Sequence, residues 1–307
     1  MRVVVVGLGI QGRKRLAIAG EEAVATVDPV QQDAAYQNIE SVPIDSFDAA
    51  CVCTSDEAKL ELLTYLLRHG KHILVEKPLL GDDVEDLAEL GRLAQASGAV
   101  CYTAYNHRFE PHLVGLKRVL DSGEIGEVYH ARFFYGNGTA RDVRSSPWRD
   151  QGLGVIPDLA SHMLDLCLFY FGSQLGRPRV LGQHRFENSA CDHFLIGFDG
   201  TPTIVMEGTL LSWRNTFTAD LLGSKGSAHV QGLCKWGPSR LVVRQRVLPS
   251  GKPPERCETL EQADPTWVAE YDHFKALCRD GGTNIENDSW ISDVIRQIGT
   301  AGRAQSV

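Results

Sequence analysis

The first part of the chain, as far as Asp28, constrains the fold most strongly. A β-branched run at 3–6 leads directly into the glycine-rich sequence 7–12, and a helix-forming stretch follows to about Ala19. A second strand-like run, 23–27, then ends at Asp28. A strand, a Gly-x-Gly-x-x-Gly turn, a helix and a second strand with an acidic end form the fingerprint of a dinucleotide-binding βαβ unit. We therefore expect the chain to begin with a Rossmann domain.

The glycine turn predicts which residues contact a dinucleotide. Gly7 permits the tight turn, Gly9 lets the backbone approach a pyrophosphate, and Gly12 allows the helix to pack closely on the strand. The helix N-terminus presents backbone N–H groups to the phosphates. The predicted contacts in this turn are Gly7, Gly9, Ile10, Gln11 and Gly12.

Asp28 predicts the kind of dinucleotide. Its carboxylate can accept hydrogen bonds from both hydroxyls of the adenosine ribose, and it would repel a 2′-phosphate. Pro29, which follows it, supplies no basic group to hold such a phosphate. The alternative is an acidic residue that only ends the strand before a turn. The full context favours the ribose contact, so NAD is the expected cofactor.

Strands and helices alternate as far as about residue 105, which indicates a doubly wound parallel sheet. The segment 30–47 is too short and polar for a full helix and strand, so we expect a trimmed third crossover. The other predicted elements are strands at 49–54, 72–76 and 100–105 and helices at 57–69 and 82–97.

Polar residues follow two of these strands. Thr54 and Ser55 follow the first, and Glu76 and Lys77 follow the second. Ligands of open α/β sheets bind outside the carboxyl ends of the strands. All four residues are therefore expected to contact the cofactor.

The pattern changes beyond about residue 121. A strand at 127–135 and several strands within 180–248, separated by short glycine-containing turns, indicate an antiparallel sheet. Two helices, near 266–279 and 289–303, end the chain. We predict an α/β protein with a Rossmann domain at 1–121 and an α+β domain at 122–307 that has an open, largely antiparallel sheet. The last helix is placed back on the Rossmann domain.

Composition excludes several classes of function. A formal net charge of −8 over 307 residues disfavours nonspecific nucleic-acid binding, which needs a basic face. No apolar run approaches the roughly 18–20 residues of a membrane-spanning helix, and the N-terminus does not resemble a secretory leader. The cysteines include no Cys-x-x-Cys pair and lie mostly in apolar runs, as reduced thiols do. We expect a cytoplasmic protein with neither nucleic-acid nor membrane partners.

The predicted helix at 157–171 carries an unusual polar stripe. With 3.6 residues per turn, Asp158, His162 and Asp165 share one face of a helix that is otherwise apolar. Burying three titratable groups without partners would cost several kcal/mol. The stripe is therefore a proton-transfer site, a metal site or a hydrogen-bonded core network, and the helix alone does not distinguish them.

The motifs together resemble a known family. In order they are Gly7-x-Gly9-x-x-Gly12, Glu76-Lys77-Pro78, Asn106-His107-Arg108-Phe109 and Asp158-x-x-x-His162-x-x-Asp165. This order is similar to that of the glucose-fructose oxidoreductase, inositol dehydrogenase and rhizopine-catabolism (Gfo/Idh/MocA) family. The resemblance implies a Rossmann domain, an α/β domain whose open sheet joins subunits into a homodimer or homotetramer, and no metal. Here Ser55-Asp56-Glu57 follows Thr54, where the family commonly has Pro-Asn and then His.

The resemblance also implies catalytic roles. Lys77 matches the family lysine beside the nicotinamide and the reacting carbinol, and Asp158 and His162 match the pair that handles the hydroxyl proton. The chemistry agrees, because oxidising a secondary alcohol requires a base that titrates near neutrality and a cation for the developing alkoxide. Asp165 is left out of the catalytic set.

The loop 136–150 bears on the substrate. Arg141, Arg144 and Arg149 lie just before the polar helix, and arginine forks suit diphosphate oxygens, while Trp148 or Tyr135 can stack on a base or sugar. The alternative is a solvated loop whose arginines pair with Asp142 and Asp150. The predicted substrate contacts are Asn106, Arg108, Tyr135, Arg141, Trp148 and Arg149.

The amino-acid sequence of the loop at 135–141 resembles that of family members that oxidise UDP-N-acetylhexosamines at the 3-hydroxyl before amination. The leading hypothesis is therefore an NAD-dependent 3-dehydrogenase of a nucleotide-linked sugar. The alternatives are a dehydrogenase of free inositol or hexose, a ketoreductase of a deoxysugar intermediate, and an NAD-binding sensor without catalytic activity.

Overall fold

The computed structural model describes residues 1–146 and 149–304. These residues form two compact units. The first comprises Met1–Asn106 and Thr266–Asp293, and the second comprises His107–Pro265 and the chain from Val294 onward. The predicted α/β class is confirmed, because a parallel sheet belongs to the first unit and a largely antiparallel sheet to the second.

The elements are named in chain order. The strands are β1 (Val3–Val6), β2 (Ala23–Val27), β3 (Ala49–Val52), β4 (His72–Glu76), β5 (Cys101–Ala104), β6 (Val128–Gly136), β7 (Pro178–His184), β8 (His193–Phe198), β9 (Thr203–Thr209), β10 (Thr216–Gly223), β11 (Gly226–Gln231), β12 (Ser239–Gln245) and β13 (Glu255–Leu260). The α-helices are α1 (Ile10–Ala19), α2 (Asp56–Arg68), α3 (Val84–Ser97), α4 (Pro111–Asp121), α5 (Ala140–Arg144), α6 (Ser161–Phe171), α7 (Thr266–Asp280) and α8 (Ile285–Ala304). A π-helical turn, Ile156–Ala160, leads directly into α6.

The first unit contains a five-stranded parallel sheet in the order β2-β1-β3-β4-β5. Strands β1 and β3 are buried along their whole length, as expected for central strands covered on both faces. Helix α3 has a capping box, in which Asp83 accepts hydrogen bonds from the N–H groups of Glu85 and Asp86. Between β2 and β3 the chain forms only short 3-10 turns at 39–41 and 44–46, so the predicted trimming of the third crossover is confirmed.

The second unit contains an eight-stranded sheet in the order β13-β12-β11-β10-β6-β9-β8-β7. Among the described strands of this sheet, only β6 and β9 pair in parallel, and the other neighbours are antiparallel. One face of the sheet is covered by α4 and by the helix that begins at Ile156. Buried side chains such as Phe133, Met206 and Phe217 form the core beneath these helices.

The division between the units differs from the predicted boundary after residue 121. Helix α4 belongs to the second unit, where Gly115 lies against Leu241 and the Leu113 carbonyl accepts a hydrogen bond from Tyr170. Helix α7 belongs to the first unit, because Tyr271 and Phe274 lie in the same core cluster as β1. Alternation along the sequence did not reveal that α4 belongs to the second unit or that α7 returns to the first. The last helix, α8, was expected back on the Rossmann domain, and its beginning does belong to the first unit, where Ile285 lies in the core.

No helix in the described parts of the chain is both long enough and apolar enough to cross a lipid bilayer.

Candidate active site

The glycine turn has the geometry that dinucleotide binding requires. Gly7 has a φ of +89°, and a Cβ there would lie 2.6 Å from the Cys53 carbonyl oxygen. A Cβ on Gly12 would lie 1.7 Å from the Gly7 carbonyl oxygen, so helix α1 can approach β1 only through a glycine. A Cβ on Gly9 would meet no described atom within 4 Å. The turn is therefore open at Gly9, where a pyrophosphate approaches the backbone.

Residues at the start of α1 are also open. Ile10 is 80% exposed, and Gln11 is exposed beside it. An isoleucine this exposed at the first turn of a helix fits a position next to a bound dinucleotide. The predicted contacts of Ile10 and Gln11 with the cofactor stay predictions.

Asp28 fixes the glycine turn as well as ending β2. One carboxylate oxygen accepts the Leu8 N–H at 2.7 Å, and the other accepts the N–H groups of Val30 and Gln31 at 2.8 and 2.9 Å. Burial opposes ionisation of Asp28, but these backbone bonds outweigh it and lower its pKa. A carboxylate offers about four acceptor positions, so Asp28 retains capacity for a ribose hydroxyl.

Thr54 and Ser55 lie where β3 ends. The Thr54 Oγ1 is buried and has no hydrogen-bond partner among the described residues. A buried hydroxyl of this kind is usually bonded to a ligand or water, which fits a cofactor at this sheet edge. Ser55 is the N-cap residue of α2, although its side chain does not cap the helix.

Glu76, at the end of β4, makes a buried ion pair that the sequence did not predict. Its Oε1 accepts a hydrogen bond from the Arg15 Nε at 2.7 Å, and the Arg15 Nη2 also bonds Glu270 Oε2 at 2.6 Å. Arg15 is 1% exposed and stacks on the Trp267 ring at 4.3 Å. Burial opposes the charge of Arg15, but the two carboxylates outweigh it and raise its pKa. Glu76 thus has a structural partner in addition to its proposed cofactor contact.

Lys77 follows β4 at the same carboxyl edge of the sheet. It is half-buried, and its peptide bond to Pro78 is cis. The Thr54 and Asp28 positions lie at the carboxyl ends of β3 and β2 in this sheet. The first unit therefore brings the glycine turn, Asp28, Thr54 and Lys77 to one edge.

The polar helix begins differently from the prediction. Asp158 lies in the π-helical turn Ile156–Ala160, and regular α-helix starts only at Ser161. A π turn holds more residues per turn than the 3.6 assumed from sequence, so the simple alignment of Asp158 with His162 and Asp165 does not apply. Such turns occur frequently at functional sites.

His162 lies in an aromatic cluster of the second unit. Its ring stacks on His107, with centroids 4.1 Å apart and planes 17° from parallel, and the Tyr135 ring lies 6.0 Å away. His162 is 7% exposed and His107 is 2% exposed. Trp236 lies 5.9 Å from Tyr135 and extends the aromatic wall.

Asp158 belongs to the same cluster. Burial raises the pKa of Tyr135, and the negative charge of Asp158 raises it further. The carboxylate of Asp158 therefore acts electrostatically on a ring that also neighbours His162. The second unit thus brings Asp158, His162, His107 and Tyr135 together.

Asp165 and Arg108 form a buried ion pair. The Arg108 Nε and Nη2 each donate to one Asp165 carboxylate oxygen at 2.7 Å, and the guanidinium lies 5.2 Å from the Phe169 ring. Burial raises the pKa of Asp165 although Arg108 acts in the opposite direction. These bonds give Arg108 a structural role, and its predicted substrate contact stays a prediction. They also explain Asp165 as part of a core network.

Asn106 has a structural role as well. Its Nδ2 donates to the Thr266 Oγ1 at 2.8 Å, and the residue is 8% exposed. The bond joins the end of the segment after β5 to the first residue of α7. Its predicted substrate contact stays a prediction.

The arginine loop forms a short helix and one side of a cleft. Arg141 and Arg144, both exposed, lie on α5, and they make no ion pair with Asp142 or Asp150 among the described residues. Asp150 accepts hydrogen bonds from the N–H groups of Ala190 and Ser189, which lower its pKa, and the positive charge of Arg144 lowers it further. Trp148, which was predicted to contact substrate, lies outside the described residues. Arg149 is half-buried, and its backbone N–H donates to the Ser146 carbonyl oxygen at 2.9 Å. Its predicted substrate contact stays a prediction.

Two functional candidates were missed by the sequence-based predictions. His107 stood within the quoted Asn106–Phe109 motif, which was a usable signal, but no role was assigned to it. Trp236 ends the short 3-10 turn Cys234–Trp236, and only the fold places its ring near Tyr135. No group of three His, Cys, Asp or Glu side chains in residues 1–146 and 149–304 is arranged to hold a metal ion.

Comparison with known proteins agrees with this geometry. Residues 1–105 match the oxidoreductase family with an NAD-binding Rossmann fold, and residues 114–229 match the GFO/IDH/MocA C-terminal domain. The two matches follow one another along the chain, as the two kinds of sheet do.

Individual proteins show the same relationship. The uncharacterized oxidoreductase YdgJ of Escherichia coli K12 is 28% identical over 61% of this chain, which spans about half of that relative (55%). The scyllo-inositol 2-dehydrogenase (NAD(+)) of Bacillus subtilis 168 is 26% identical over 94% of this chain and 89% of its own length. The structure of UDP-N-acetylglucosamine 3-dehydrogenase GnnA from Acidithiobacillus ferrooxidans is similar in fold, with a TM-score of 0.82, 17% identity and coverage of 98% and 97% of the two chains.

The NAD-binding edge of the first unit, the aromatic histidine cluster of the second and the matches along most of the chain lead to one conclusion. The chain belongs to the Gfo/Idh/MocA family of NAD-binding oxidoreductases.

Proposed function

We propose that the protein is an NAD-dependent dehydrogenase that oxidises a secondary alcohol of a sugar, and that its best substrate is a UDP-N-acetylhexosamine oxidised at the 3-hydroxyl. The observation that carries the reaction type is the His162 cluster, in which a buried imidazole lies among aromatic rings near the charge of Asp158. A sensor that only binds NAD has no need of such a group.

The residues of this chain have distinct proposed tasks. His162 accepts the proton of the substrate hydroxyl, and Asp158 favours the resulting imidazolium through its negative charge. Lys77 stabilises the developing alkoxide with its ammonium group. When bound, NAD supplies the acceptor for the hydride that leaves the carbinol carbon.

The first unit supplies the groups that hold the cofactor. The glycine turn and the start of α1 suit the pyrophosphate, because Gly9 is open and the helix presents backbone N–H groups. Asp28 accepts from the ribose, and Thr54 contributes its buried hydroxyl at the neighbouring strand end. Together these groups place the dinucleotide at the edge that also carries Lys77.

The nucleotide-linked substrate is supported by the two arginines of α5. Arg141 and Arg144 are exposed on one short helix that follows Tyr135 closely along the chain. Guanidinium groups bind diphosphate oxygens through paired charge-assisted hydrogen bonds. A free polyol would give these residues nothing to bind.

The test is direct oxidation of UDP-N-acetylglucosamine. The protein is incubated with NAD and this substrate, with an aminotransferase and glutamate present to remove the 3-ketone, and NADH formation is followed by absorbance. We expect turnover that depends on NAD. Absence of NADH under these pulling conditions contradicts the proposed substrate.

A second candidate, dehydrogenation of a free inositol, is favoured by one specific observation. The Bacillus subtilis scyllo-inositol 2-dehydrogenase matches 94% of this chain, far more than YdgJ does. Assays with scyllo-inositol and myo-inositol under the same conditions separate the candidates. Turnover of a free inositol, unchanged by substitution of Arg141, favours the second candidate.

We also propose that the chain forms a homodimer or homotetramer through the sheet face opposite α4 and α6. Phe134, Val205 and Leu222 alternate with charged residues on that face, and Leu222 is 45% exposed. Analytical ultracentrifugation of the protein and of Leu222→Asp tests this assembly. We expect the substitution to shift the protein towards smaller species, whereas a monomeric wild-type protein contradicts the proposal.

A further inference from the structure

A cleft of 740 Å³ opens in the second unit between α5 and the turn after β7. It is lined by Arg141, Arg144, Ser145, Phe186, Glu187, Asn188 and Ser189. Its volume lies within the range of roughly 300–1,000 Å³ typical of small-ligand sites. The lining contains neither His162 nor Asp158, the residues proposed for proton transfer.

Asn188 is the buried polar group of this cleft. It is 7% exposed, and its Nδ2 donates to the Ala140 carbonyl oxygen at 3.0 Å. Its Oδ1 is buried and has no hydrogen-bond partner among the described residues. The bond to Ala140 fixes which end of the amide is the oxygen, so the free group is an acceptor. A ligand N–H would satisfy it.

The turn that carries Asn188 is held rigidly. The buried carboxylate of Asp192 accepts the N–H groups of Phe186, Glu187 and Asn188 at 3.0, 2.6 and 3.1 Å. The Asp150 carboxylate accepts the next two backbone N–H groups. A turn fixed at both ends presents its side chains in one arrangement, which lowers the entropy cost of binding.

Phe186 provides an aromatic surface on this turn. It is 64% exposed, and one face of its ring stacks on His184 with centroids 5.0 Å apart. A large apolar side chain held in this exposed position suits stacking on a planar ring of a ligand.

The charged residues of the cleft form two sides of opposite charge, which suit different parts of a ligand. Arg141 and Arg144 lie three residues apart on α5 and form a positive side suited to phosphate oxygens. Glu187 is exposed on the opposite turn, where its carboxylate repels phosphate but accepts hydrogen bonds from hydroxyl groups. The ligand therefore carries an aromatic ring with an N–H donor, a hydroxylated portion and adjacent phosphates.

We propose that the cleft binds the nucleoside diphosphate portion of the substrate, an assignment that rests on the nucleotide-linked substrate proposed above. The base stacks on Phe186 and donates an N–H to the Asn188 Oδ1. The ribose hydroxyls donate to Glu187. Arg141 and Arg144 hold the diphosphate.

The experiment measures binding of UDP, which cannot be oxidised, to the full-length protein by isothermal titration calorimetry. The variants are Phe186→Ala and the double variant Arg141→Gln/Arg144→Gln, because these positions are exposed and tolerate substitution. Arg185→Gln is the matched control, since Arg185 is exposed beside the turn but does not line the cleft.

We expect each cleft variant to weaken UDP binding at least about tenfold, as for charge-assisted and stacking contacts, while the control binds normally. Inorganic pyrophosphate is expected to bind at least about tenfold more weakly than UDP, because it lacks the base. Equal binding of pyrophosphate and UDP, or unchanged binding by the variants, overturns the assignment.

Steady-state kinetics separates this assignment from the proposed function. If UDP-N-acetylglucosamine is oxidised, the double variant is expected to raise its KM with a smaller change in kcat. Turnover with an unchanged KM preserves the proposed function and overturns the cleft assignment. UDP binding that the cleft variants weaken, without turnover of the sugar, preserves the cleft and contradicts the proposed substrate.

Discussion

His107 stacks directly on His162, with ring centroids 4.1 Å apart and planes 17° from parallel. The two rings come from different parts of the sequence, one from the turn after β5 and the other from α6. The stack fixes the plane of the proposed base without using the nitrogen atoms of His162. His107 is therefore a positioning residue in the proposed reaction.

This relationship predicts graded losses of activity. His162→Ala is expected to lower kcat at least about 100-fold, because general acid–base groups contribute about that much. His107→Phe retains a flat ring against His162 and should lose much less activity than His107→Ala. The measurement is kcat with the true substrate. If His107→Phe and His162→Ala lose equal activity, His107 itself takes part in proton transfer.

Lys77→Ala is expected to lower kcat at least about 100-fold, because the developing alkoxide loses its cationic partner. Lys71→Ala is the matched control, since Lys71 precedes the opposite end of the same strand. Equal activity of Lys77→Ala and Lys71→Ala contradicts the proposed role.

Asp28→Asn is expected to raise kcat/KM for NADP relative to NAD about tenfold or more, because the repulsion of a 2′-phosphate is removed. Asparagine keeps an oxygen for the Leu8 N–H, but its amide nitrogen cannot accept the Val30 and Gln31 N–H groups, so the folding of the variant is checked by circular dichroism before the kinetics. Asp45→Asn, an exposed change in the same unit, serves as the control. An unchanged cofactor ratio in Asp28→Asn excludes Asp28 as the ribose ligand.

Arg15→Met is expected to lower the free energy of unfolding by about 3–5 kcal/mol, because it leaves Glu76 and Glu270 without their shared cation. Arg13→Met, which breaks an exposed ion pair with Asp33, should lower the free energy of unfolding far less, because solvent screens that pair. Urea denaturation measures both. Adding Glu270→Gln to Arg15→Met should recover part of the lost stability, because one unpaired carboxylate is removed. An Arg15→Met protein as stable as Arg13→Met would refute the buried network.

Glu110 predicts a pH dependence of stability. It is fully buried, and burial raises its pKa above the ordinary value of 4.5, against the bonds from Cys234 that lower it. Below pH 4.5 it is protonated in both the folded and unfolded chains. As the pH rises towards the folded pKa the unfolded chain ionises first, so the folded state loses stability.

Glu110→Gln should therefore match the wild-type protein below pH 4.5 and exceed its stability above the folded pKa. Glutamine can still accept the Cys234 N–H through its amide oxygen. Melting temperatures across this range test the sign, with the exposed Glu127→Gln as control. A wild-type advantage that grows with pH contradicts the expected direction.

The NAD-binding edge could be predicted from sequence because its requirements are local. Gly7 and Gly12 are fixed by contacts within one turn and the neighbouring strand, and any side chain at Gly12 would collide with the backbone. Parallel strands also end at a common edge, so Thr54 and Lys77 could be assigned to it before the fold was known.

The missed features depend on partners that are distant in sequence. Nothing in the sequence near Arg108 reveals its ion pair with Asp165, which lies 57 positions away. The Arg15–Glu270 bond joins residues 255 positions apart. The π turn at Asp158 was missed because a run of apolar residues indicates a helix but does not show whether its period is 3.6 residues or longer.

Helix α7 has a consequence for the order in which the protein is made. During synthesis, the NAD-binding unit emerges first, but Tyr271, Phe274 and Glu270 emerge only after nearly all of the second unit. Until then the β1 side of the core lacks its covering helix, and Arg15 lacks one of its two carboxylates. A gene fragment ending at 121 would therefore encode every cofactor contact proposed in the first unit and still leave that unit unfinished.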